Sequence, residues 1–134
     1  MKVADATVAV AAFAPWHEHH VAARSALSGR PAIVTHAAYE TFSVLTRLPE
    51  PNRVQAIDAL KFLEDWFAER WIGLSTTGQQ LLLRRLADAG IRGGAIYDAL
   101  IAATVAAESA TLVTADRRAR ATYERVGVDV QYVG

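Results

Sequence analysis

The chain has 134 residues, of which 52% are hydrophobic and 21% are charged. A chain of this length usually forms one domain, and these proportions exclude a disordered, collagen-like or low-complexity protein. The sequence contains no cysteine, which excludes a disulfide framework, a thiolate zinc site and a cysteine nucleophile. Because its 14 basic and 14 acidic side chains cancel, a nucleic acid would have to be bound by local patches rather than by an overall positive field.

The beginning of the chain does not have the pattern of a secretory signal. Asp5 stands where such a signal needs an apolar run, and Val8–Ala14 is far shorter than the roughly 20 residues that span a bilayer. We therefore expect a cytoplasmic protein without membrane association, formed by a single domain over residues 1–134, and the absence of cysteine agrees with a reducing compartment.

Short apolar runs rich in β-branched residues alternate with longer helical patterns along the chain. The predicted strands are Met1–Ala4, Ala32–Thr35, Trp71–Leu74, Thr111–Thr114 and Val128–Tyr132. The predicted helices are Thr7–Phe13, His17–Leu27, Thr35–Leu48, Asn52–Arg70, Thr76–Ala89, Ala95–Glu108 and Arg117–Arg125. This alternation indicates right-handed βαβ crossovers, and hence a three-layer α/β/α domain with a mostly parallel sheet of four or five strands.

Two of the predicted helices carry a pronounced apolar pattern. Asn52 is the expected N-cap of the longest helix, and the apolar face of that helix is expected to contain Val54, Ile57, Leu60, Leu63 and Phe67. The helix Thr76–Ala89 has leucines around much of its circumference, which predicts a groove or a dimer surface there; these are Leu81, Leu82, Leu83 and Leu86. Trp66 and Trp71 are expected to be core or interface residues.

Four carboxylates occupy positions where an ordinary solvated charge is not expected. Asp5 follows the first predicted strand, and Asp116 follows the strand Thr111–Thr114. Glu40 shares a helix face with apolar residues, and Asp98 is the only charge between residues 96 and 107. Each could separately cap a helix or meet the positive end of its dipole. However, ligands of parallel sheets bind beyond the carboxyl ends of the strands, where all four are expected to meet.

Carboxylates gathered at one place repel each other unless they bind protons or a cation. A site made only of carboxylates selects a hard, oxygen-preferring ion, which means Mg²⁺ or Mn²⁺. The sequence therefore predicts a divalent-metal site at the carboxyl edge of the sheet.

These residues and their neighbours resemble the four acidic motifs of the PIN-domain ribonucleases, and most closely those of the VapC toxins of bacterial type II toxin–antitoxin systems. The motifs are Asp5-Ala6-Thr7, Tyr39–Leu48, Tyr97–Ala103 and Leu112–Arg118. The resemblance covers essentially the whole chain, and it departs from the family pattern at Ala6, where many relatives have Thr or Ser.

The resemblance implies an endoribonuclease in which a metal-activated water attacks a phosphodiester. Its catalytic residues would be Asp5, Glu40, Asp98 and Asp116. Of these, Asp5 and Asp98 would hold Mg²⁺, with Mn²⁺ as the alternative ion, and Thr7 and Thr114 would support the site. The resemblance also implies an RNA substrate, a VapB-type antitoxin that fills the acidic pocket, and a homodimer.

Positive charge is expected around such a site, because RNA must approach carboxylates. Arg117 and Arg118 directly follow Asp116, and Arg92 precedes the helix that carries Asp98, so these arginines are candidates for phosphate contacts. A solvated helix face is the other explanation for them.

The positions of the histidines indicate a function less clearly than those of the four carboxylates do. His17, His19 and His20 lack the spacing of a helical metal pair and are expected to be solvent-exposed, whereas His36, near Glu40, is a candidate substrate contact.

Two other functions stay open at this stage. One is a phosphohydrolase or receiver-type domain on a similar doubly wound sheet, although Asp5-Ala6-Thr7 lacks the second Asp of a haloacid-dehalogenase-like motif and no partner Lys stands at a strand end. The other is a non-catalytic binding module, against which the presence of all four acidic residues argues.

Overall fold

Five parallel strands form the central sheet of the computed structural model, which describes residues 1–134. The strands are β1 (Lys2–Ala4), β2 (Ala32–Val34), β3 (Trp71–Ile72), β4 (Thr111–Thr114) and β5 (Asp129–Tyr132). Their order in the sheet is β3-β2-β1-β4-β5, and every neighbouring pair is parallel. The predicted fold class is confirmed, with a sheet that has five strands and is parallel throughout.

Seven helices accompany the sheet, and they form two packed groups. They are α1 (Ala6–Phe13), α2 (His20–Ala26), α3 (Thr35–Thr46), α4 (Ala56–Phe67), α5 (Thr76–Asp88), α6 (Ala95–Ala107) and α7 (Arg120–Val126). Helix α1 packs against α2 and α3, and α3 packs against α4, whereas α6 packs against α5 and α7. With the sheet between them, the helices complete a three-layer α/β/α architecture. No helix has both the length and the apolar composition that crossing a bilayer requires.

The strand order places a topological switch point between β1 and β4. From β1 the chain moves outward through β2 to β3 on one side, and β4 and β5 extend the sheet on the other side. In open parallel sheets the crevice for ligands lies at such a point, beyond the carboxyl ends of the strands. Asp5 directly follows β1 and donates its backbone N–H to the carbonyl oxygen of Val113 on β4 at 3.3 Å.

The inner strands form the centre of the core because both of their faces are covered by helices. Their apolar residues are fully buried, as in Val3, Ile33, Leu112 and Val113. Around them, a continuous cluster of 26 buried residues joins the sheet to the helices, and Trp66 and Trp71 pack against its edge as partly buried side chains.

Helix α4 is shorter than the prediction at both ends. It begins at Ala56 rather than after Asn52, because the preceding segment is held extended and Val54 donates its N–H to the carbonyl oxygen of Leu45 at 3.0 Å. It ends at Phe67 rather than near Arg70, because Ala68 adopts a left-handed backbone angle (φ +44°).

The predicted apolar face of α4 is also partly wrong. Ile57 and Leu60 are 67% and 37% exposed, whereas Phe62 is buried. The Phe62 ring packs edge-on against Phe13 with the ring centroids 5.1 Å apart, and it also contacts Phe67. Packing of these large aromatic rings turns a neighbouring face of the helix toward the core.

The leucines of α5 divide between the interior and the surface. Leu82 and Leu86 are buried against Ala99 of α6, so they are core residues rather than part of an open groove. Leu81 and Leu83 are each 56% exposed. Only these two remain available for the predicted surface on this helix.

The other differences lie at helix ends and strand ends. Residues 17–19 form a turn, so α2 begins at His20, and the predicted helix Arg117–Arg125 is divided into a 3-10 turn at Arg117–Ala119 followed by α7. Strands β2 and β3 are one and two residues shorter than predicted.

Candidate active site

The four predicted carboxylates line one cavity at the carboxyl edge of the sheet. The cavity has a volume of about 590 Å³, and its walls include Asp5, Glu40, Asp98 and Asp116. Asp5 and Asp116 reach it from the ends of the adjacent strands β1 and β4, while Glu40 comes from α3 and Asp98 from the first turn of α6. The structure therefore brings together all four side chains that the sequence selected.

Asp5 is the most enclosed of the four, with 4% of the residue exposed. It is the N-cap of α1, and its Oδ1 accepts hydrogen bonds from the Thr7 hydroxyl at 2.6 Å and from the backbone N–H of Val8 at 3.2 Å. Its Oδ2 accepts a hydrogen bond from the Thr114 hydroxyl. Both carboxylate oxygens are thus fixed in place before any ligand arrives.

The two threonines join the ends of β1 and β4. The Thr7 hydroxyl accepts the N–H of Ala115 at 2.8 Å, and the Thr114 hydroxyl accepts the N–H of Asp116 at 3.0 Å. Each hydroxyl also donates to Asp5, so the backbone beside Asp116 and the side chain of Asp5 are positioned by the same two groups. This network is a structural basis for the supporting role that the sequence predicted for Thr7 and Thr114.

Burial raises the pKa of the Asp5 carboxyl to about 6, from an ordinary value of 3.8. The hydrogen bonds from Thr114 and Thr7 lower its pKa and oppose this effect without cancelling it. Because desolvation dominates, Asp5 is a carboxylate that a cation in the cavity would stabilise.

Glu40 and Asp98 are each repelled by a neighbouring carboxylate, as the sequence predicted. Burial raises the pKa of Glu40, and the negative charge of Asp98 raises it further, while His36 opposes the rise with its Nε2 lying 3.7 Å from Glu40 Oε1. Burial also raises the pKa of Asp98, with the charge of Asp116 adding to the effect and that of Arg118 opposing it. The charge of Asp98 therefore acts on Glu40, and the charge of Asp116 acts on Asp98.

Asp116 caps the 3-10 turn and binds Arg118, whose positive charge opposes the negative charge of the carboxylates. Its Oδ1 accepts the backbone N–H of Arg118 at 3.1 Å, and its Oδ2 accepts the guanidinium of Arg118 at 3.2 Å. Arg118 is the one Arg or Lys side chain in the cavity wall. It is also 87% exposed, so its remaining donors are free to meet a ligand.

The other two candidate phosphate contacts lie outside the cavity wall. Arg117 donates to the carbonyl oxygen of Gly134 at 2.8 Å and stacks over the ring of Tyr132, with its guanidinium carbon 4.8 Å from the ring centroid. Arg92 is an exposed residue between α5 and α6. Of the three arginines, Arg118 is the best placed for a substrate phosphate.

Several cavity residues were not predicted from the sequence. Tyr123 of α7 is 2% exposed, and its pKa is raised by burial and by the charge of Asp5. His17 and His19 line the cavity as partly buried residues, and His20 is also partly buried, with its Nδ1 2.8 Å from the carbonyl oxygen of Ala11. The expectation that these three histidines are solvent-exposed is therefore wrong. The spacing of Tyr123 four residues after the buried Ala119 is a helical signal, whereas nothing in the sequence indicates how the 17–19 turn folds.

The donor set of the cavity fits a hard cation that keeps part of its water shell. All four acidic side chains offer oxygen ligands, and burial raises the pKa of three of them, so that a bound cation would favour their ionised forms. No three His, Asp or Glu side chains converge closely enough to form a complete ligand group. Oxygen donors of this kind are the ligands that hard divalent cations prefer, and such an ion can be bound through one or two carboxylates plus waters.

Known proteins share both the sequence and the fold of this chain. The PIN-domain family model matches residues 2–125. Ribonuclease VapC40 of Mycobacterium tuberculosis is 43% identical over 129 residues, which cover 96% of each chain. Ribonuclease VapC27 of the same organism is 42% identical over 127 residues, covering 94% of this chain and 92% of the relative.

Two solved structures have a similar fold at low sequence identity. A chain in the structure of FitAB bound to an IR36 DNA fragment superposes with a TM-score of 0.68 at 19% identity, covering 98% of this chain and 94% of the other. PAE2754 of Pyrobaculum aerophilum superposes with a TM-score of 0.56 at 23% identity, covering 96% and 89%. Taken with the family match and the two ribonucleases, the cavity and fold lead to one conclusion: this chain belongs to the PIN-domain family, within its VapC-type ribonucleases.

Proposed function

We propose that this protein is the toxin of a VapBC-type toxin–antitoxin module and cleaves cellular RNA internally in a Mg²⁺-dependent reaction. The observation that carries this proposal is the convergence of four carboxylates on one cavity at the switch point of the sheet. The two curated ribonucleases that match nearly the whole chain support the reaction class.

Asp5 and Asp98 are the residues that would hold Mg²⁺. Asp5 is fixed by its three hydrogen bonds, and Asp98 projects into the same cavity from α6. When bound, Mg²⁺ supplies Lewis acidity, which lowers the pKa of an attacking water and neutralises charge that develops on the phosphate. Mn²⁺ is the alternative ion, since it accepts the same oxygen ligands.

Glu40 is the group best suited to take a proton from the attacking water. Its pKa is raised by burial, which brings its basicity toward that of an effective general base. The side chain is 42% exposed, so a water can reach it, and His36 lies close enough to orient the carboxylate. In this proposal Glu40 orients the water and accepts its proton.

Asp116 and Arg118 complete the site from the β4 side. The negative charge of Asp116 raises the pKa of Asp98, so Asp116 adds to the negative potential at the proposed cation site. Arg118, held by Asp116, offers guanidinium donors to a substrate phosphate at the edge of the cavity. Arg117 and Arg92 are more distant candidates for contacts along the RNA backbone.

RNA cleavage by the wild type and by single-site variants tests the proposal directly. Wild-type protein with Mg²⁺ is expected to cut RNA, and EDTA is expected to abolish the cleavage. Asp5→Asn and Asp98→Asn keep the size of each side chain while removing a charge, and each is expected to reduce cleavage at least a hundredfold. Sequencing the 5′ ends of cellular RNA after induced expression would identify the target.

The matched control is Asp129→Asn on strand β5, which makes the same chemical change at an exposed position outside the cavity. It is expected to cleave RNA like the wild type. Equal cleavage by wild type, Asp5→Asn and Asp98→Asn would overturn the nuclease proposal and favour a non-catalytic binding module. Hydrolysis of a small phosphomonoester without RNA cleavage would favour the phosphohydrolase.

The proposed partners follow from the resemblance to the VapC toxins. They are an RNA target in the cytoplasm, a VapB-type antitoxin and a second copy of this chain. The exposed Leu81 and Leu83 of α5 are candidates for a surface that a protein partner covers. Co-purification with the product of the neighbouring gene, and the solution mass with and without it, would test both protein partners.

A further inference from the structure

Two aromatic rings stack beside the acidic cavity, and neither their stacking nor the tyrosine has a part in the proposed reaction. His36 of α3 and Tyr97 of α6 have ring centroids 5.2 Å apart, and their planes differ by only 4°. Tyr97 is nevertheless 54% exposed, and the His36 side chain is 33% exposed. A tyrosine that served only to pack α3 against α6 would be expected to lie beneath other side chains, and this one does not.

The stacked pair stands directly next to two of the four carboxylates. His36 lies one helical turn before Glu40, with its Nε2 3.7 Å from Glu40 Oε1. Tyr97 immediately precedes Asp98 in the first turn of α6. Any polymer chain that places one phosphate among the carboxylates therefore has an adjoining unit near these rings.

The surface beside the pair is apolar enough to receive a flat ring. His36 lines a second cavity of about 260 Å³, whose walls include Tyr39, Ile72 and Leu100. The hydroxyls of Thr35 and Thr104 in the same wall already donate to backbone carbonyl oxygens, at 3.2 and 2.7 Å. The wall of this cavity contains no Asp, Glu, Lys or Arg side chain, so an RNA base beside the stacked pair would displace no such charged group there.

We propose that the His36–Tyr97 pair is a stacking platform for one unpaired RNA base next to the phosphate that is cleaved. Bases of single-stranded RNA are unstacked easily and bind the faces of tyrosine and histidine rings. Since Tyr97 is the more exposed ring, the base extends the stack on the tyrosine. A purine is expected to bind better than a pyrimidine, because it covers more of the ring. This inference rests on the proposed ribonuclease function.

The test uses full-length protein carrying Asp5→Asn, which is expected to suppress cleavage and leaves both rings of the stacked pair in place. The probe is a twelve-nucleotide single-stranded RNA of mixed sequence, with the fluorescent base 2-aminopurine placed at each position in turn. We expect one position, or two adjacent ones, to be quenched on binding. Adding Tyr97→Ala is expected to abolish that quenching and to weaken binding about tenfold, whereas Tyr97→Phe is expected to preserve both.

Two controls distinguish the loss of base stacking from the general effect of removing an exposed side chain. Ile57→Ala removes an apolar side chain of α4 that is 67% exposed and lines neither cavity, and it is expected to leave the quenching unchanged. The second control is an RNA with an abasic nucleotide at the quenched position. This RNA has no base to stack on the ring, so it is expected to bind the Asp5→Asn protein with the same affinity whether or not Tyr97→Ala is added.

The outcomes distinguish this inference from the proposed function. If the Asp5→Asn protein binds RNA but Tyr97→Ala leaves affinity and quenching unchanged, the stacking platform is wrong and the ribonuclease proposal stands. If Tyr97→Ala disturbs self-association instead of RNA binding, the ring is a protein contact and the inference is also wrong. If the wild type neither binds nor cleaves RNA, the proposed function fails, and the inference fails with it.

Discussion

The buried carboxylate of Asp5 predicts an unusual dependence of metal-free stability on pH. Its pKa is about 6 in the folded protein and near 3.8 in an exposed chain, so the folded state binds the additional proton between these values. Stability from this residue is therefore gained as the pH falls from 7 toward 4, and it is lost as the pH rises through about 6. Most salt-bridged carboxylates behave in the opposite way.

The size of the effect follows from the shift in pKa. A difference of about two pKa units corresponds to about 3 kcal/mol over the whole titration, of which about 1.4 kcal/mol falls between pH 7 and pH 5. Asp5→Asn carries no titratable proton, so it removes this contribution. The gain in unfolding free energy from pH 7 to pH 5 should then be smaller in Asp5→Asn than in the wild type by about 1.4 kcal/mol, or roughly 0.7 M in the urea midpoint.

Urea unfolding in EDTA measures this difference, with the fluorescence of the three tryptophans as the signal. Asp129→Asn, an exposed aspartate on β5, provides the matched control and should keep the wild-type response to pH. If wild type and Asp5→Asn responded identically to the change in pH, the argument that burial dominates the electrostatics of Asp5 would be refuted.

Other changes probe the network, the cation and the core. Thr114→Val is expected to leave an Asp5 oxygen unpaired, which should lower the unfolding free energy by about 1–3 kcal/mol and the Mg²⁺ affinity at least tenfold. The control Thr104→Val removes a hydrogen bond to the carbonyl oxygen of Leu100 and should lower stability alone. Calorimetry with and without Mg²⁺ measures both effects. Mg²⁺ at about ten times its Kd should stabilise the wild type by about 1.4 kcal/mol at pH 7, and an equal thermal shift in Asp5→Asn would argue against Asp5 as a ligand. Leu82→Ala should cost about 2–5 kcal/mol because it opens a cavity beside Ala99, whereas Leu83→Ala should change urea stability by less than about 0.5 kcal/mol; similar losses would contradict the assigned burial.

Local patterns in the sequence were sufficient to predict the sheet and the four acidic positions. Uncharged β-branched runs separated by helical patterns require a covered parallel sheet, and the carboxyl ends of its strands meet at one edge. Asp5 was identifiable because it directly follows the first predicted strand, and Asp116 because it lies two residues after the strand Thr111–Thr114. Asp98 was identifiable because it is the only charge in an otherwise uncharged helix, where an unpaired carboxylate needs a reason to be present.

The apolar face of α4 could not be predicted as reliably from periodicity. Ile57 and Phe62 are both apolar residues of one amphipathic helix, and only the partner surface determines which of them is buried. The ring of Phe13, more than forty residues away in sequence, packs against Phe62 and settles the orientation. The spacing of apolar residues defines a helix face, but it does not specify the shape of the core surface against which that helix packs.

The sequence by itself therefore predicted the class of fold and the four carboxylates, since these depend on residue type and local spacing, and it predicted the family through four motifs in order along the chain. The tertiary structure alone decided that His17, His19 and Tyr123 line the same cavity as the acidic residues, and that His36 stacks on Tyr97. These contacts join separate segments through a turn or between packed helices. Their geometry depends on how the whole chain packs, and no local pattern of residues encodes it.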